Sequence, residues 1–200
     1  MKDYLNEYAA ALNGAMQTLD SGQFEKIISL LAEAYKNDKQ IFIAGNGGSA
    51  ASANHFVCDF GKNATPFKSA GPGNRRFRII SVSDNIEKIT AIANDIALEE
   101  IFRQQLINLM RKGDVLIAVS ASGNSPNIVR ACEYAKEMSS PLITLSGFNG
   151  GKIKDLADAA IVVPLTSYEQ IEDIHLMILH MIVYYFKNHP EVLGLNGKEL

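Results

Sequence analysis

Cysteine is scarce in this 200-residue chain: Cys58 and Cys132 are the only two, they lie far apart, and no C-x-x-C occurs. That argues against a disulfide framework or a zinc knuckle, and it fits a reducing cytoplasm. An excess of basic residues is missing as well. Nineteen Lys and Arg against 22 Asp and Glu leave a net charge of −3, which argues against nucleic acid or an anionic membrane surface as partner. The N-terminal stretch from Met1 to Glu7 lacks the apolar core of a signal peptide. The longest strongly apolar run, Ile174 to Phe186, is too short to span a bilayer and is interrupted by His175 and His180. No G-x-x-x-x-G-K-[ST] occurs, which excludes a P-loop NTPase. A composition 47% apolar and 20% charged fits one ordinary domain over residues 1–200, with residues 1–38 as a helical layer.

What is present centres on Gln40 to Asp59. An apolar run, Ile41-Phe42-Ile43-Ala44, meets Gly45-Asn46-Gly47-Gly48-Ser49 and then a helical pattern from Ala50 to Asp59. This reads as a buried strand, a glycine turn and a helix start, the construction of an anion site and most often of a phosphate site. His55 and Asp59 stand four apart on that helix and share a face, about one turn deeper than the phosphate site.

Upstream, Leu5, Tyr8, Leu12, Met16 and Leu19, then Phe24, Ile27, Leu31 and Tyr35, predict two helices separated by Asp20-Ser21-Gly22. Downstream, Asn63 to Asn74 reads as a loop whose ends carry Lys62, Lys68, Arg75, Arg76 and Arg78, a positive excess beside the site. Strands are predicted at Phe77–Val82, Val115–Val119, Leu142–Leu145 and Ala160–Val163. Helices are predicted around Ile86–Ala93, Leu98–Met110, after Pro126, and from Glu169 to Phe186, with a turn at Gly147–Gly151. Short apolar strands alternating with helices imply a three-layer α/β sandwich with a five-stranded parallel sheet, flavodoxin-like, ligands binding beyond the strands' carboxyl ends.

A second loop, Ser120-Ala121-Ser122-Gly123-Asn124-Ser125, leaves a strand at that same edge. Its serines could be no more than caps, yet two hydroxyl loops at equivalent strand ends suit a phosphate monoester on a small polar metabolite. Gly45-x-Gly47-x-x-Ala50 matches a relaxed dinucleotide fingerprint but lacks the acidic residue about 20 positions on. His55 and Asp59 are open to three readings: a metal pair, an acid–base pair or a local ion pair. His175 and His180 point different ways from one helix, so at most one is catalytic. Cys58 reads as a packed side chain.

The motif set Gly45-Asn46-Gly47-Gly48-Ser49-Ala50-Ala51, His55-Phe56, Asn94-Asp95, the second serine loop and the Glu172-to-His180 helix resembles the sugar isomerase (SIS) domain family, in its phosphoheptose isomerase branch. The resemblance covers essentially the whole chain. It implies a homotetramer with sites between subunits, converting sedoheptulose 7-phosphate to D-glycero-D-manno-heptose 7-phosphate, with zinc in some members. Carried over, it implies Asn46, Gly47, Gly48, Ser49, Asp59, Asn94, Asp95, Ser120, Ala121, Ser122, Ser125 and Glu172 as sugar-phosphate contacts. It makes Asp59 the general base, His180 the general acid, and His55, Asp59, Glu172 and His180 the zinc set. Three positions depart from the family: Asp59 replaces a glutamate, Glu172 a glutamine, and Lys62 stands for an arginine. A related branch consists of non-catalytic assembly factors that bind the replication initiator and lack an acid four residues after the histidine. Asp59 therefore favours an enzyme; an isomerase or sensor for another phosphosugar is the remaining alternative.

Overall fold

The structure, a computed structural model, describes residues 1–65 and 75–195. Helices α1 (Lys2–Gln17) and α2 (Ser21–Lys36) come first, as the helical spacing predicts. They are followed by β1 (Gln40–Gly45), α3 (Gly47–Asn63), β2 (Arg78–Ser81), α4 (Ile86–Asp95), a 3₁₀ turn at Leu98–Glu100 and α5 (Arg103–Leu109). Then come β3 (Val115–Ser120), α6 (Pro126–Glu137), β4 (Leu142–Gly147), α7 (Gly151–Leu156), β5 (Ala159–Val163), α8 (Tyr168–Asn188) and a 3₁₀ turn at Pro190–Leu193. No helix among the described residues is long and apolar enough to cross a membrane.

All five strands run parallel in the order β2-β1-β3-β4-β5. The order reverses between β1 and β3, which opens a crevice at their carboxyl ends. Register sets which side chains share a face: Ile41 lies opposite Val115 and Ile43 opposite Ile117. Those residues, with Ile143 and Leu145, pack against α2, α3 and α8 through Ile27, Leu31, Phe56, Phe60, Ile174 and Ile178. Their alternates Phe42, Ala44, Leu116, Ala118 and Leu142 pack against Leu106, Ile128, Ala131, Cys132 and Ile153 on the other face. The near-continuous apolar strands are thus explained by burial on both sides, and the architecture is the predicted three-layer sandwich.

Helices α3 and α8 lie side by side, which matters for the site. Phe60 is the pivot: its ring centroid is 4.8 Å from Phe56, 4.2 Å from Phe77 and 5.7 Å from Phe186. Tyr8 ties α1 to α8 by donating to Asp173 at 2.7 Å; this bond, and burial after it, push the phenol up to about 12.

Several expectations are corrected. The helix predicted over Leu98–Met110 is interrupted, because Ile101 and Phe102, adjacent in sequence, are both buried and the chain turns there before α5 begins. Helix α7 was not foreseen; six residues are too few to display a helical period. Two members of the positive cluster, Arg75 and Arg78, do not stand at the carboxyl-end crevice, while Lys62 lies on α3 one turn after Asp59. Arg75 donates to the Tyr35 and Lys36 carbonyls and Arg78 to the Asp38 carbonyl, at the opposite, amino-terminal edge of the sheet, where Arg78 stands opposite Gln40. Lys68 and most of the predicted loop lie outside the described residues, and α3 itself runs on to Asn63. Cys58 is exposed rather than packed, on the solvent side of α3.

Candidate functional site

Helices α3 and α6 both begin at the crevice beside the switch point, and both begin unusually. Asn46 is the N-cap of α3 and Ser125 the N-cap of α6, residue types that normally accept from the second or third helical amide, yet neither side chain does so. Elsewhere among the described helices, N-cap residues of this type do cap: Asp20 on α2, Asn85 on α4 and Ser167 on α8. Ser125 Oγ instead lies 3.3 Å from Ser120 Oγ. Asn46 exchanges two amide hydrogen bonds with Asn127, at 2.8 and 3.0 Å. The first-turn amides at the positive end of α3 are therefore left without a side-chain partner, whereas on α6 Pro126 has no N–H and the Ile128 N–H is taken by Asn127 Oδ1.

The space between them is a cavity of about 110 Å³ lined by Asn46, Ser49, Val119, Ser120, Ala121, Ser122, Ser125, Tyr168 and Glu172. Its scale suits a phosphate group, and its walls offer hydroxyls and amides without a lysine or arginine. Ser49 and Ser120 are buried at its floor. The second loop is braced from behind: Gly123 (φ +63°) is in backbone contact with Gly150, where a Cβ would overlap, and the Asn124 side chain accepts from the Lys152 amide at 3.1 Å. The Ser83 hydroxyl fixes the first loop by both accepting from Gly45 N–H and donating to its carbonyl.

Glu172 reaches this cavity from α8, its carboxylate resting against Gly48, where any Cβ would collide with it. Partial burial, then the neighbouring Glu169 and Asp173 charges, raise its pKa above the ordinary glutamate value. Such a carboxylate takes up a proton more readily, which reduces its repulsion of an anion in the cavity.

The ionisable group stands apart. His55 Nε2 lies 2.8 Å from His180 Nε2 and 3.2 Å from Asp59 Oδ2, and His180 Nε2 is 3.7 Å from the same oxygen. The two ring nitrogens are at hydrogen-bond distance, with donor and acceptor set by the tautomers. These three donors fit a metal: two imidazoles and a carboxylate lie within 4.8 Å of one another, a zinc-type set. Ligands of one tetrahedral zinc sit about 3.3 Å apart, so a small spreading of the rings would admit the ion.

The group lies further from the phosphate cavity than the one turn expected. Gly48 and His55 are seven residues apart on α3, about 10 Å along the axis. Helix α8 is continuous from Tyr168, so Glu172 and His180 are separated by about 12 Å, and within one chain Glu172 sits at the cavity while His55, Asp59 and His180 sit together two turns on. Those three side chains are 50%, 25% and 46% exposed, facing outward from the α3–α8 layer. Asn94 and Asp95, at the end of α4, are exposed and hydrogen-bond each other at 2.8 Å; in this chain they do not line the cavity.

The sequence reading missed Tyr168, which closes the cavity from the start of α8, and Asn127, which holds Asn46. An asparagine two positions after a candidate N-cap serine was the available signal for the latter. His175 is buried on α8 and takes no part in the His55–His180 pair, as their helical angle predicts.

The sequence matches the SIS domain family over residues 3–147. It is 44% identical over 150 residues to a phosphoheptose isomerase of Nitratiruptor sp., covering 75% of this chain and 77% of that protein. A phosphoheptose isomerase of Helicobacter pylori strain P12 is 36% identical over 92% of this chain and 93% of its own. Among solved structures, the phosphoheptose isomerase from Neisseria gonorrhoeae superposes with a TM-score of 0.82 at 28% identity, covering 92% of this chain and 96% of that one. With two uncapped helices opening on a hydroxyl-lined cavity and relatives of this kind along nearly its full length, the chain belongs to the SIS domain family, in its phosphoheptose isomerase branch.

Proposed function

We propose that the protein is an aldose–ketose isomerase interconverting sedoheptulose 7-phosphate and D-glycero-D-manno-heptose 7-phosphate. One observation carries the reading: a single helix, α3, presents an open anion-binding N-terminus and, about three turns on, a carboxylate set against two imidazoles. The first can anchor a phosphate, the second can move a proton at a distant carbon.

The chemistry needs no redox partner. A base takes a proton from the carbon next to the carbonyl, the enediol forms, and the proton returns to the adjacent carbon while a second group shuttles the proton between the two oxygens. Asp59 is the base and His180 the acid. His55, 2.8 Å from His180 and 3.2 Å from Asp59, orients both. Zinc held by His55, Asp59 and His180, with Glu172 as the fourth ligand, would polarise the substrate oxygens as a Lewis acid. Ser49, Ser120, Ser122 and Ser125 receive the phosphate with the first-turn amides of α3, and Asn46, Gly47, Gly48 and Ala121 complete the contacts at that end.

We propose further that the working unit is a homotetramer whose sites combine chains. The separation of Glu172 from His180 along one continuous helix supports this, since one chain cannot bring both to one ion. So does the surface: Met177, Met181 and Tyr184 on α8 surround His180 with exposed apolar side chains, and Tyr4 and Leu5 of α1 are about 60% exposed. A second chain over this face would desolvate the acid–base group.

The test is turnover of the purified protein on a panel of ketose and aldose phosphates, with mass by light scattering. Preferred conversion of sedoheptulose 7-phosphate by a species near four times 21.8 kDa supports the reading. A protein that binds phosphosugars and converts none of them is a binding module, and a fully active monomer ends the shared-site proposal.

A further inference from the structure

We infer that Asn127 is a positioning residue which keeps Asn46 from capping helix α3, so that the first-turn amides stay open for the ligand's phosphate. The inference rests on the phosphate reading of the cavity. Asn46 has the backbone of an ordinary N-cap, φ −109° and ψ 153°, and asparagine is among the residues that cap best. Only its side chain is out of place, turned to a partner 81 positions away in sequence.

The hydrogen-bond pattern explains why it stays there. Two facing amides could exchange donor and acceptor without preference, but the Ile128 N–H donates to Asn127 Oδ1 at 2.9 Å. That bond fixes which end of the Asn127 amide is oxygen. Asn127 Nδ2 must then donate to Asn46 Oδ1 at 3.0 Å, which occupies the atom that would otherwise cap α3. Asn127 is 7% exposed, so water does not compete easily for these bonds. Asn46 Nδ2 keeps one N–H free beside the cavity. The arrangement costs α3 a cap and leaves at its N-terminus the donors an anion requires.

Without Asn127, the Asn46 side chain swings back and becomes an internal competitor for the phosphate. The experiment measures inorganic phosphate affinity by calorimetry in the parent protein and in Asn127→Ala, Asn46→Gly and the double variant. Asn127→Leu, of nearly the same size, replaces Asn127→Ala if the latter does not fold. The expected result is a dissociation constant about fivefold higher in Asn127→Ala, the equivalent of a typical N-cap. Asn46→Gly has no side chain to cap with, so whatever its own affinity, adding Asn127→Ala to it should cause no further loss: the Asn46→Gly single variant and the double variant should bind phosphate equally. A purely structural role for Asn127 lowers affinity in both backgrounds alike. Unchanged affinity in Asn127→Ala, or an equal loss from Asn127→Ala with and without the Asn46 side chain, overturns the inference while the phosphate site stands. A parent protein that binds neither inorganic phosphate nor sedoheptulose 7-phosphate overturns the phosphate reading and the inference together.

Discussion

Replacing His175 with leucine should flatten the acid limb of the protein's stability curve. His175 is fully buried on α8, and neither ring nitrogen finds a well-placed hydrogen-bond partner. Burial lowers its pKa from 6.5 to about 4, and the nearby Ser146 backbone opposes the shift only weakly. The folded pKa is thus depressed below the unfolded one, so the unfolded chain takes up the proton first. Stability is fully present above pH 6.5, falls as pH passes from 6.5 toward 4, and loses nothing more from this group below that. A shift from 6.5 to about 4 at 1.36 kcal/mol per unit amounts to roughly 3 kcal/mol. That is a large share of the 5–15 kcal/mol typical of a domain, so it is measurable. Urea unfolding at pH 8, 6, 5 and 4 is the assay. His175→Leu should be the more stable protein already at pH 8, because it removes two unpaired buried polar atoms, and its advantage should grow by about 3 kcal/mol between pH 8 and pH 4. Parallel curves for the two proteins from pH 7 to 4 would refute the assignment of this titration to His175.

Two other predictions concern the cavity. Ser49→Ala and Ser122→Ala should each weaken inorganic phosphate binding by about 1.5–3 kcal/mol, the range for a hydrogen bond to a charged group, without lowering the melting temperature appreciably; equal affinity in both would make them ordinary turn serines. Glu172→Gln should tighten binding of sulfate, an anion of constant charge, at pH 8 by roughly 1 kcal/mol, the repulsion of like charges about 4 Å apart in water, and the gain should shrink as the pH is lowered and the parental carboxylate, its pKa raised by burial, protonates. A gain independent of pH would point to packing rather than charge.

The strand, glycine turn and helix of Gln40–Asp59 are legible in the sequence because each depends on neighbours within a few residues: an apolar run, a glycine cluster in which Gly47 takes positive φ, and a helical period. The second serine loop is legible for the same reason, and the parallel sheet follows from the strand–helix alternation, while its strand order is seen only in the structure. What the sequence does not display depends on direction in space. Asn46 and Ser125 look like caps from composition alone, and only partners at Asn127 and Ser120 turn them away. Arg75 and Arg78 look like site residues by proximity in the chain, but parallel strands send their segment back to the amino-terminal edge. The extra turn between cavity and His55 comes from where α3 starts, at Gly47, which periodicity does not fix to better than a few residues.

The central claim is that Asp59 moves the substrate proton, and its most direct test is the turnover of Asp59→Asn on sedoheptulose 7-phosphate at matched metal content. The amide keeps the size and the contact with His55 but cannot take a proton. The account predicts a fall in kcat of at least about a hundredfold, within the usual contribution of a general base, with inorganic phosphate binding unchanged because the cavity lies about three turns away from Asp59 on α3. Turnover within a few-fold of the parent would contradict it and leave Asp59 a structural partner of His55.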